Sequence, residues 1–426
     1  MVSNVWTQSK IIPDSHGAAE RVATRPVRVL LLDLLPVVPY YTGHLSAALR
    51  GSNNVDVTLG SATYTHDHGF FRRMGVRNRA GFLDVAYRVR LAALRRPFKF
   101  LEYLLNVAAL ALRFLRSKPD VIHIQFTPLA EHKLPFELWF LQFARQVGIK
   151  LVYTVHNVLP HDASMDLAST YHKLYRLMDQ FICHDGHAKS RLIAEFGIDP
   201  DRISVIPHGP LFEMDERRAA SETNTGIGRP SEGCVVLWQG IIRPYKGIPF
   251  FLRAWKEACE AGLQAILWIV GTGDKAMMMQ IAEDIASLGI GSSVHCDFRF
   301  VTVEQLANYY NDADILVYPY SQVTSSGALM TGVGYGKAMI ASTLPAFEHV
   351  LQHEKNALLA PPDDAVAWAS ALLRLAADPE LRNRLARGLQ DSRAAIHGWT
   401  EIASQTCRVY EQLLTSPSTR PLKQQY

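Results

Sequence analysis

The sequence has few cysteines, and none of them has metal-binding spacing. Its 426 residues include five cysteines, an odd number, without any C-x-x-C pair. That pair is typical of zinc sites, and an even set of cysteines in a short chain is typical of a disulfide framework. The sequence therefore predicts neither a bound metal nor a disulfide framework, and it favours a reducing, cytoplasmic environment.

Long apolar runs are also missing. Residues 1–25 are polar and mixed, which predicts a flexible N-terminus without the apolar segment of a signal peptide. A membrane-spanning helix needs about 18 consecutive apolar residues or more. The nearest candidate, 101–115, is interrupted by Glu102, Asn106 and Arg113, so no span is predicted.

The net charge is small but unevenly distributed. A formal net charge of +4 is too little to indicate a nucleic-acid partner. Between Arg72 and Lys118, however, twelve basic residues accompany only two acidic ones, Asp84 and Glu102. In residues 88–115 the cations alternate with leucine and phenylalanine, which is typical of helices on an anionic membrane and also of solvated helices with a buried stripe. We predict peripheral contact of this segment with the inner face of the cytoplasmic membrane.

The chain is long enough for two or three domains at about 150 residues each. Apolar strand patterns alternate with helical patterns twice, which predicts βαβ units and parallel sheets, hence an α/β protein. A polar stretch rich in Ser, Thr and Gly separates the two alternations and indicates a linker. The predicted segments are a domain over 26–213, a linker over 214–233, a second domain over 234–398, a last helix over 399–415 and a tail over 416–426.

The motif G-I-I-R-P-Y-K-G at 240–247 follows an apolar strand pattern and precedes a helical one. Gly240 allows the backbone to approach a ligand closely, Arg243 offers a planar fork to oxyanions, and Lys246 adds a point charge. The motif predicts a phosphate site. A basic surface loop with no ligand is the alternative.

Ligands of parallel sheets bind outside the carboxyl ends of the strands, so the other loops that follow strands are candidates too. Gly43 ends a predicted loop over 35–43, which follows the first strand and precedes a predicted helix over 44–50. This glycine predicts either a close approach to a ligand or a tight turn. His156 ends a strand and is able to donate to a hydroxyl or an oxyanion, or to be a hydrogen-bonded wall residue. Gly271 and Gly273 form half of a dinucleotide fingerprint, and we expect them to shape a pocket wall for a base.

The segment 324–327 follows a strand and opens a helix. Unpaired N–H groups at a helix start favour a phosphate, so Ser325, Ser326 and Gly327 predict the second half of a diphosphate cradle. Either serine is also able to act as an ordinary N-cap. His123 and His184 fall inside predicted strands and are interpreted as core or wall residues. The spacing of the histidines and aspartates is not interpreted as a metal site, and the G-x-S-x-G elbow of serine hydrolases is absent.

Four motifs of the second half occur in the order found in a known family. They are the basic loop at 240–247, G-T-G at 271–273, A-D-I-L-V-Y-P at 313–319 and G-K-A-M-I-A-S at 336–342. In this order the chain resembles the retaining glycosyltransferases of family 4 over roughly residues 27–415. The resemblance implies the GT-B fold, in which two Rossmann-like, doubly wound domains face each other across a cleft and the last helix crosses back to the first domain.

The resemblance also implies roles for the candidate residues. Arg243 and Lys246 are expected to bind the diphosphate of a GDP- or UDP-linked sugar, His156 to lie by the donor sugar, and Gly43 to lie near the diphosphate. Transfer with retention and without a required metal is what the family implies.

One departure separates the chain from most of the family. Two glutamates eight positions apart usually precede the last motif, and the corresponding positions hold Val323 and Thr331. Thr331 is therefore counted among the donor-pocket positions. A subgroup of bacterial exopolysaccharide-assembly enzymes is similar to this chain here, which implies a lipid-linked or oligosaccharide acceptor in glycan biosynthesis. An inactive homologue that binds lipid or glycan, and a phosphorylase or epimerase of the same fold, stay open as alternatives.

Overall fold

The computed structural model describes most of the chain. The described residues are 25–64, 66–76, 83–89, 91–159, 165–210, 233–323, 326–393 and 398–415. Except for Arg25 and Gly233, the predicted N-terminal segment, linker and tail lie outside them, and the predicted domain boundaries stay predictions.

The first half of the chain builds a six-stranded parallel sheet. Its elements are β1 (Val27–Leu32), α1 (Pro39–Arg50), β2 (Val55–Gly60), α2 (Phe70–Arg73), α3 (Ala92–Phe114), β3 (Val121–Ile124), α4 (Pro128–Glu131), α5 (Phe136–Gln146), β4 (Lys150–Val155), α6 (Met165–Leu177), β5 (Gln180–Cys183), α7 (Gly186–Phe196) and β6 (Ile203–Val205). The strand order is β2-β1-β3-β4-β5-β6. The central strands are buried along almost their whole length because helices cover both faces of the sheet.

The second half builds a second parallel sheet. Its elements are β7 (Cys234–Gln239), α8 (Ile248–Glu260), β8 (Ala265–Val270), α9 (Lys275–Ser287), β9 (Val294–Asp297), α10 (Val303–Asp312), β10 (Ile315–Tyr318), α11 (Gly327–Tyr335), β11 (Ala338–Ser342), α12 (Pro345–Glu348), β12 (Leu358–Ala360), α13 (Ala365–Ala377), α14 (Pro379–Arg393) and α15 (Trp399–Thr415). The order β12-β11-β10-β7-β8-β9 is that of dinucleotide-binding sheets. The predicted α/β class with two doubly wound sheets is confirmed.

Helix α1 begins earlier than predicted. Proline is favoured at the first helical position because its missing N–H is not needed there, and Pro39 starts the helix. The predicted loop up to Gly43 is therefore wrong, because Gly43 lies inside α1. A Cβ atom on Gly43 would come within 2.8 Å of the Phe70 ring, so this glycine lets α1 and α2 pack closely.

The last helix returns to the first sheet. Trp399, Ile402 and Tyr410 of α15 are buried in one hydrophobic cluster with side chains of β1 and α1. The Trp399 indole N–H donates to the Pro210 carbonyl at 2.7 Å. The expected crossing of the C-terminal helix is thus present. No helix of the described residues combines the length and the apolar character needed to cross a bilayer.

Aromatic side chains connect the two halves on the side of the strand ends. Phe300, which follows β9, stacks on His66 at 5.1 Å between ring centroids and meets the edge of Tyr64 at 6.0 Å. Loops that follow strands of the first sheet therefore contact loops that follow strands of the second sheet.

Candidate functional site

The strand order of the second sheet reverses between β7 and β10, and such a switch point is where open α/β sheets bind ligands. The loop after β7 holds Arg243 and Lys246, and the segment after β10 leads into α11. The two are joined because the Ser321 N–H donates to the Tyr245 carbonyl at 2.8 Å. The basic loop and the approach to α11 thus form one surface, as the predicted phosphate cradle requires.

Lys246 is a buried cation in this surface. Its side chain is only 8% exposed, and its ammonium lies 5.8 Å from the centre of the Trp238 ring and 5.4 Å from that of Tyr320. A Cβ on Gly240 would lie 2.5 Å from Nζ, so the glycine makes room for the ammonium. Burial, assisted by the charge of Arg243, lowers the pKa of Lys246 to about 8. A buried lysine with a lowered pKa indicates a binding site for an anion, because a nearby negative charge raises that pKa again and keeps the lysine protonated.

Arg243 lies at the exposed rim of the same loop. It begins the short 3-10 turn Pro244–Lys246, with an extended backbone. Burial raises the pKa of Glu131 in α4, whereas the positive charges of His132 and Arg243 oppose that rise. Arg243 is therefore close enough to the first half of the chain to act on one of its carboxylates, as a residue at a cleft between the halves would.

Two predicted glycines bring neighbouring loops into backbone contact. A Cβ on Gly271 would lie 1.9 Å from the Gly240 carbonyl oxygen, and one on Gly273 would lie 2.6 Å from Ile242 Cβ. The Ile242 N–H donates to the Thr272 carbonyl at 2.8 Å. Gly271 and Gly273 thus support the shape of the basic loop. Their predicted contact with a base stays a prediction.

The start of α11 lies at the same edge. Ser326 is its N-cap, and its hydroxyl oxygen accepts from the Leu329 N–H at 3.1 Å. Gly327 is the first helical residue, and Ser325 lies outside the described residues. Thr331 is fully buried and its hydroxyl donates to the Gly327 carbonyl at 2.8 Å, so this hydroxyl is engaged within the helix. The positive end of the α11 dipole adds to the two side-chain cations.

In the first half, His156 comes directly after β4 and is buried. Its Nε2 lies 3.3 Å from the Gln125 side-chain oxygen, and its Nδ1 lies 3.3 Å from Nε2 of His184. Burial and the neighbouring histidines hold the pKa of His156 well below its usual range, so the ring is neutral. His156 is therefore an uncharged hydrogen-bond donor, with its Nε2–H directed at the Gln125 side-chain oxygen.

His184 and His208 were not predicted to take part in a site. The prediction that His184 lies inside a strand was wrong, since β5 ends at Cys183. The strand ends there because Asp185 caps the following helix α7. His208 follows β6, and its imidazole joins those of His156 and His184. The signal that could have identified His184 and His208 as site residues is that each of them follows a strand. By contrast, His123 lies within β3, fully buried between Tyr410 and Thr154, as an interior histidine should.

Asp33 is another polar residue that the sequence reasoning missed. It follows β1, is fully buried, and accepts hydrogen bonds from the Val37 N–H at 3.1 Å and the Thr42 hydroxyl at 3.0 Å. Burial outweighs these bonds and raises its pKa to about 7. Asp33 organises the turn into α1 at the switch point of the first sheet, between β1 and β3.

Two family models match the chain in succession. "Glycosyltransferase Family 4" matches residues 38–209, and "Glycosyl transferases group 1" matches residues 233–378. His156 falls in the first match, whereas Arg243, Lys246 and α11 fall in the second. Each half of the chain is therefore similar to a glycosyltransferase family model.

Individual relatives of the chain are distant. A D-inositol 3-phosphate glycosyltransferase of Corynebacterium efficiens is 25% identical over 53% of this chain and 54% of that protein. One from Catenulispora acidiphila is 24% identical over 71% of this chain and 74% of that protein. The chain thus matches only about half the length of the first of these relatives.

Solved structures share the fold of the chain. HepE of Anabaena, in complex with UDP and glucose, superimposes with a TM-score of 0.69 at 16% identity over 91% of this chain and all of that one. Sucrose-phosphate synthase of Thermosynechococcus elongatus gives 0.70 at 20% identity over 91% of this chain and 99% of that one. At these identities the likeness establishes the GT-B fold.

Proposed function

We propose that the protein transfers a sugar from a nucleoside-diphosphate donor, linked to UDP or GDP, to a saccharide acceptor with retention of configuration. The observation that carries this proposal is Lys246, a buried cation at the switch point of a Rossmann-type sheet. Arg243 on the rim and the N-terminus of α11 complete a cradle for a diphosphate. HepE, whose structures hold UDP and UDP-glucose, supports a nucleotide-sugar as the ligand.

The cradle has a direct part in the chemistry. As the bond between sugar and diphosphate breaks, negative charge grows on the leaving nucleoside diphosphate. Preorganised cations and amides at that point stabilise the transition state more than the ground state, and such electrostatic stabilisation is usually the largest catalytic contribution. Because Arg243, Lys246 and α11 offset the diphosphate charge, the transfer step needs no divalent metal.

His156 is proposed to contact the donor sugar from the other half of the chain. Its neutral ring directs Nε2–H toward the Gln125 side chain, where a sugar hydroxyl is able to accept as well. Retention follows when a phosphate oxygen of the donor takes the proton of the acceptor hydroxyl on the face that the leaving group vacates. His156 then orients the sugar without exchanging a proton.

Helix α3 supports a lipid-linked acceptor. One face is buried through Tyr103, Leu110 and Phe114. The polar residues on that side are used internally: the Glu102 carboxylate accepts the Val85 and Ala86 N–H groups at 2.6 and 2.8 Å, and Asn106 binds the backbone of Leu83. The opposite face is left apolar, and its exposed side chains are Leu91, Leu94, Phe98, Leu101, Leu105, Leu112 and Leu115.

This apolar face, which we call the α3 stripe, recurs at intervals of three, four or seven residues and therefore lies along one side of the helix. Trp139 on α5 is also 60% exposed, and its ring contacts that of Phe136, which in turn contacts Phe100 of α3. The cations Arg88, Arg95 and Arg96 are exposed beside its N-terminal end. Apolar side chains next to cations match an anionic bilayer surface, so we propose that α3 lies on the inner leaflet of the cytoplasmic membrane and that the acceptor is lipid-linked, as in exopolysaccharide assembly.

A panel of nucleotide sugars tests the proposed donor chemistry. The protein should release nucleoside diphosphate slowly from at least one UDP- or GDP-linked sugar, with water as the acceptor. A phosphorylase would instead require inorganic phosphate, and an epimerase would return a changed nucleotide sugar without release.

A lipid- or glycan-binding homologue without activity is the second candidate. It is favoured by Val323 and Thr331 at the two positions where the resemblance predicts glutamates, since an apolar side chain and an internally bonded hydroxyl replace two carboxylates. Binding of vesicles together with no turnover of any donor in the panel would support this reading.

A further inference from the structure

Three histidines converge at the carboxyl edge of the first sheet, in the half of the chain that does not hold the diphosphate cradle. His156 follows β4, His184 follows β5 and His208 follows β6. One ring nitrogen of each lies within 4.8 Å of one ring nitrogen of both others. Because adjacent parallel strands end side by side, residues far apart in the sequence meet here.

The hydrogen bonds of the three rings fix which nitrogen carries the proton. Nδ1 of His184 lies 3.1 Å from the Ile206 carbonyl oxygen, and Nδ1 of His208 lies 2.6 Å from that of Gly209. A carbonyl oxygen only accepts, so both Nδ1 atoms are donors, and Nε2 of each neutral ring is an acceptor. His156 has the reverse arrangement, since its Nε2 faces the Gln125 oxygen.

This arrangement places two acceptor nitrogens face to face. Nδ1 of His156 and Nε2 of His184 are 3.3 Å apart, and two lone pairs at that distance repel unless a proton or a metal ion lies between them. A neutral imidazole whose other nitrogen donates to an oxygen is the arrangement found in metal-binding histidines.

The distances also agree with a metal ion. Zinc binds histidine nitrogen at about 2.0–2.1 Å, so two ligands of a tetrahedral zinc ion lie about 3.4 Å apart. The 3.3 Å between His156 and His184 matches this separation. His208 is half-buried, with Tyr41 packed against its ring at 5.0 Å, and its ligand nitrogen lies within 4.8 Å of the other two.

We propose that His156 Nδ1, His184 Nε2 and His208 Nε2 bind one Zn²⁺ ion, with a fourth position for water. The ion would connect the ends of β4 and β5 to the loop after β6. It would leave Nε2–H of His156 directed toward Gln125, so the proposed contact with the donor sugar and the metal site are compatible. The C-x-x-C spacing that the sequence lacks is not needed, because the fold supplies the proximity.

Metal analysis of the full-length protein tests the site. The protein, freed of any affinity tag and stripped with a chelator, is loaded with Zn²⁺ or Co²⁺ and desalted. Metal content is measured by mass spectrometry, and the geometry by the visible absorption of Co²⁺. The variants are His184→Ala and His208→Ala, and the matched control is His187→Ala, which removes an exposed histidine at the start of α7.

Wild type and His187→Ala should hold one metal ion per chain and give the intense visible absorption of tetrahedral Co²⁺. His184→Ala and His208→Ala should bind at least about 10-fold more weakly, and Zn²⁺ should raise the thermal midpoint of wild type but not theirs. A wild-type protein that takes up no Zn²⁺ and gives no such Co²⁺ spectrum would overturn the proposal, even if a variant failed to fold. So would undiminished binding in both folded variants. Binding of UDP, measured in the same samples, reports on the diphosphate cradle independently.

Discussion

Single side chains carry the electrostatics of the proposed site, and two of them have pKa values displaced by burial. Burial lowers the pKa of Lys246 and raises the pKa of Asp33. Both lie at a switch point of a parallel sheet, where loops from two strands surround them. Their shifts make the protein sensitive to pH in ways that are open to measurement.

Binding of a nucleoside diphosphate should add a proton to Lys246. Its pKa of about 8 in the free protein should rise toward the ordinary 10.5 when two phosphates approach. The affinity for UDP or GDP should therefore fall as the pH rises above 8. Calorimetry at pH 8.5 in buffers of different ionisation enthalpy should show uptake of a fraction of a proton. Lys246→Met should abolish the uptake, and an affinity independent of pH between 7 and 9.5 would contradict this assignment.

Asp33→Asn should stabilise the protein at high pH. The folded-state pKa of about 7 lies above the ordinary 3.8, so stability is greatest at low pH and falls as the pH rises from about 4 through 7. Asparagine resembles the neutral acid and avoids this loss. Above pH 8 the variant should gain up to about 4 kcal/mol in free energy of unfolding, and below pH 4 almost none. Urea unfolding at pH 4 and pH 8 measures both, and equal effects at the two pH values would contradict the argument.

At the scale of elements, loops in backbone contact position the cations, and one helix has two apolar faces. Gly240 and Gly271 have φ angles of +149° and +146°, and each lies against an atom that a Cβ would strike. Helix α3 uses one face for the core and leaves the other exposed. Each of these features leads to a test that changes one element and leaves the rest of the fold in place.

Gly240→Ala should weaken diphosphate binding more than it weakens the fold. The new Cβ would lie 2.5 Å from Lys246 Nζ and displace the flexible end of that side chain, and the positive φ adds strain of about 1–3 kcal/mol. We expect UDP or GDP affinity to fall by about 10-fold or more, equivalent to about 1.4 kcal/mol. Gly262→Ala is the control, because Gly262 also has a positive φ but no atom within 4 Å of its Cβ. Similar affinities in the two variants would contradict the proposed role of Gly240.

Membrane binding should depend on the α3 stripe. Phe98→Ser removes a side chain that is 50% exposed in the stripe, whereas Val366→Ser removes one that is 71% exposed on α13. Arg88, Arg95 and Arg96 each contribute about 1 kcal/mol near an anionic surface, so reversing all three to Glu should nearly abolish sedimentation with anionic vesicles. Phe98→Ser should reduce it and Val366→Ser should not. Negligible binding of wild type to both neutral and anionic vesicles would contradict the proposal.

At the scale of the whole molecule, the architecture was predictable because its signals are local. Apolar strand patterns alternate with helical patterns in the sequence, and both sheets follow that alternation. The start of α1 was predicted too late because proline is common both in loops and at the first position of a helix, and Pro39 was assigned to a loop. The three histidines were not grouped because sequence spacing does not show which strands are neighbours. Asp33 was missed because the pattern places it after a strand without showing its burial.

The account depends most on the claim that Lys246 holds the donor diphosphate. The measurement is the rate of nucleoside diphosphate release from the best donor of the panel, compared between wild type and Lys246→Met. Lys355→Met, which changes an exposed lysine before β12, is the control. We predict a loss of about 10²–10³-fold for Lys246→Met, as for removal of one oxyanion-stabilising group, and a wild-type rate for the control. A wild-type rate in folded Lys246→Met would contradict the account.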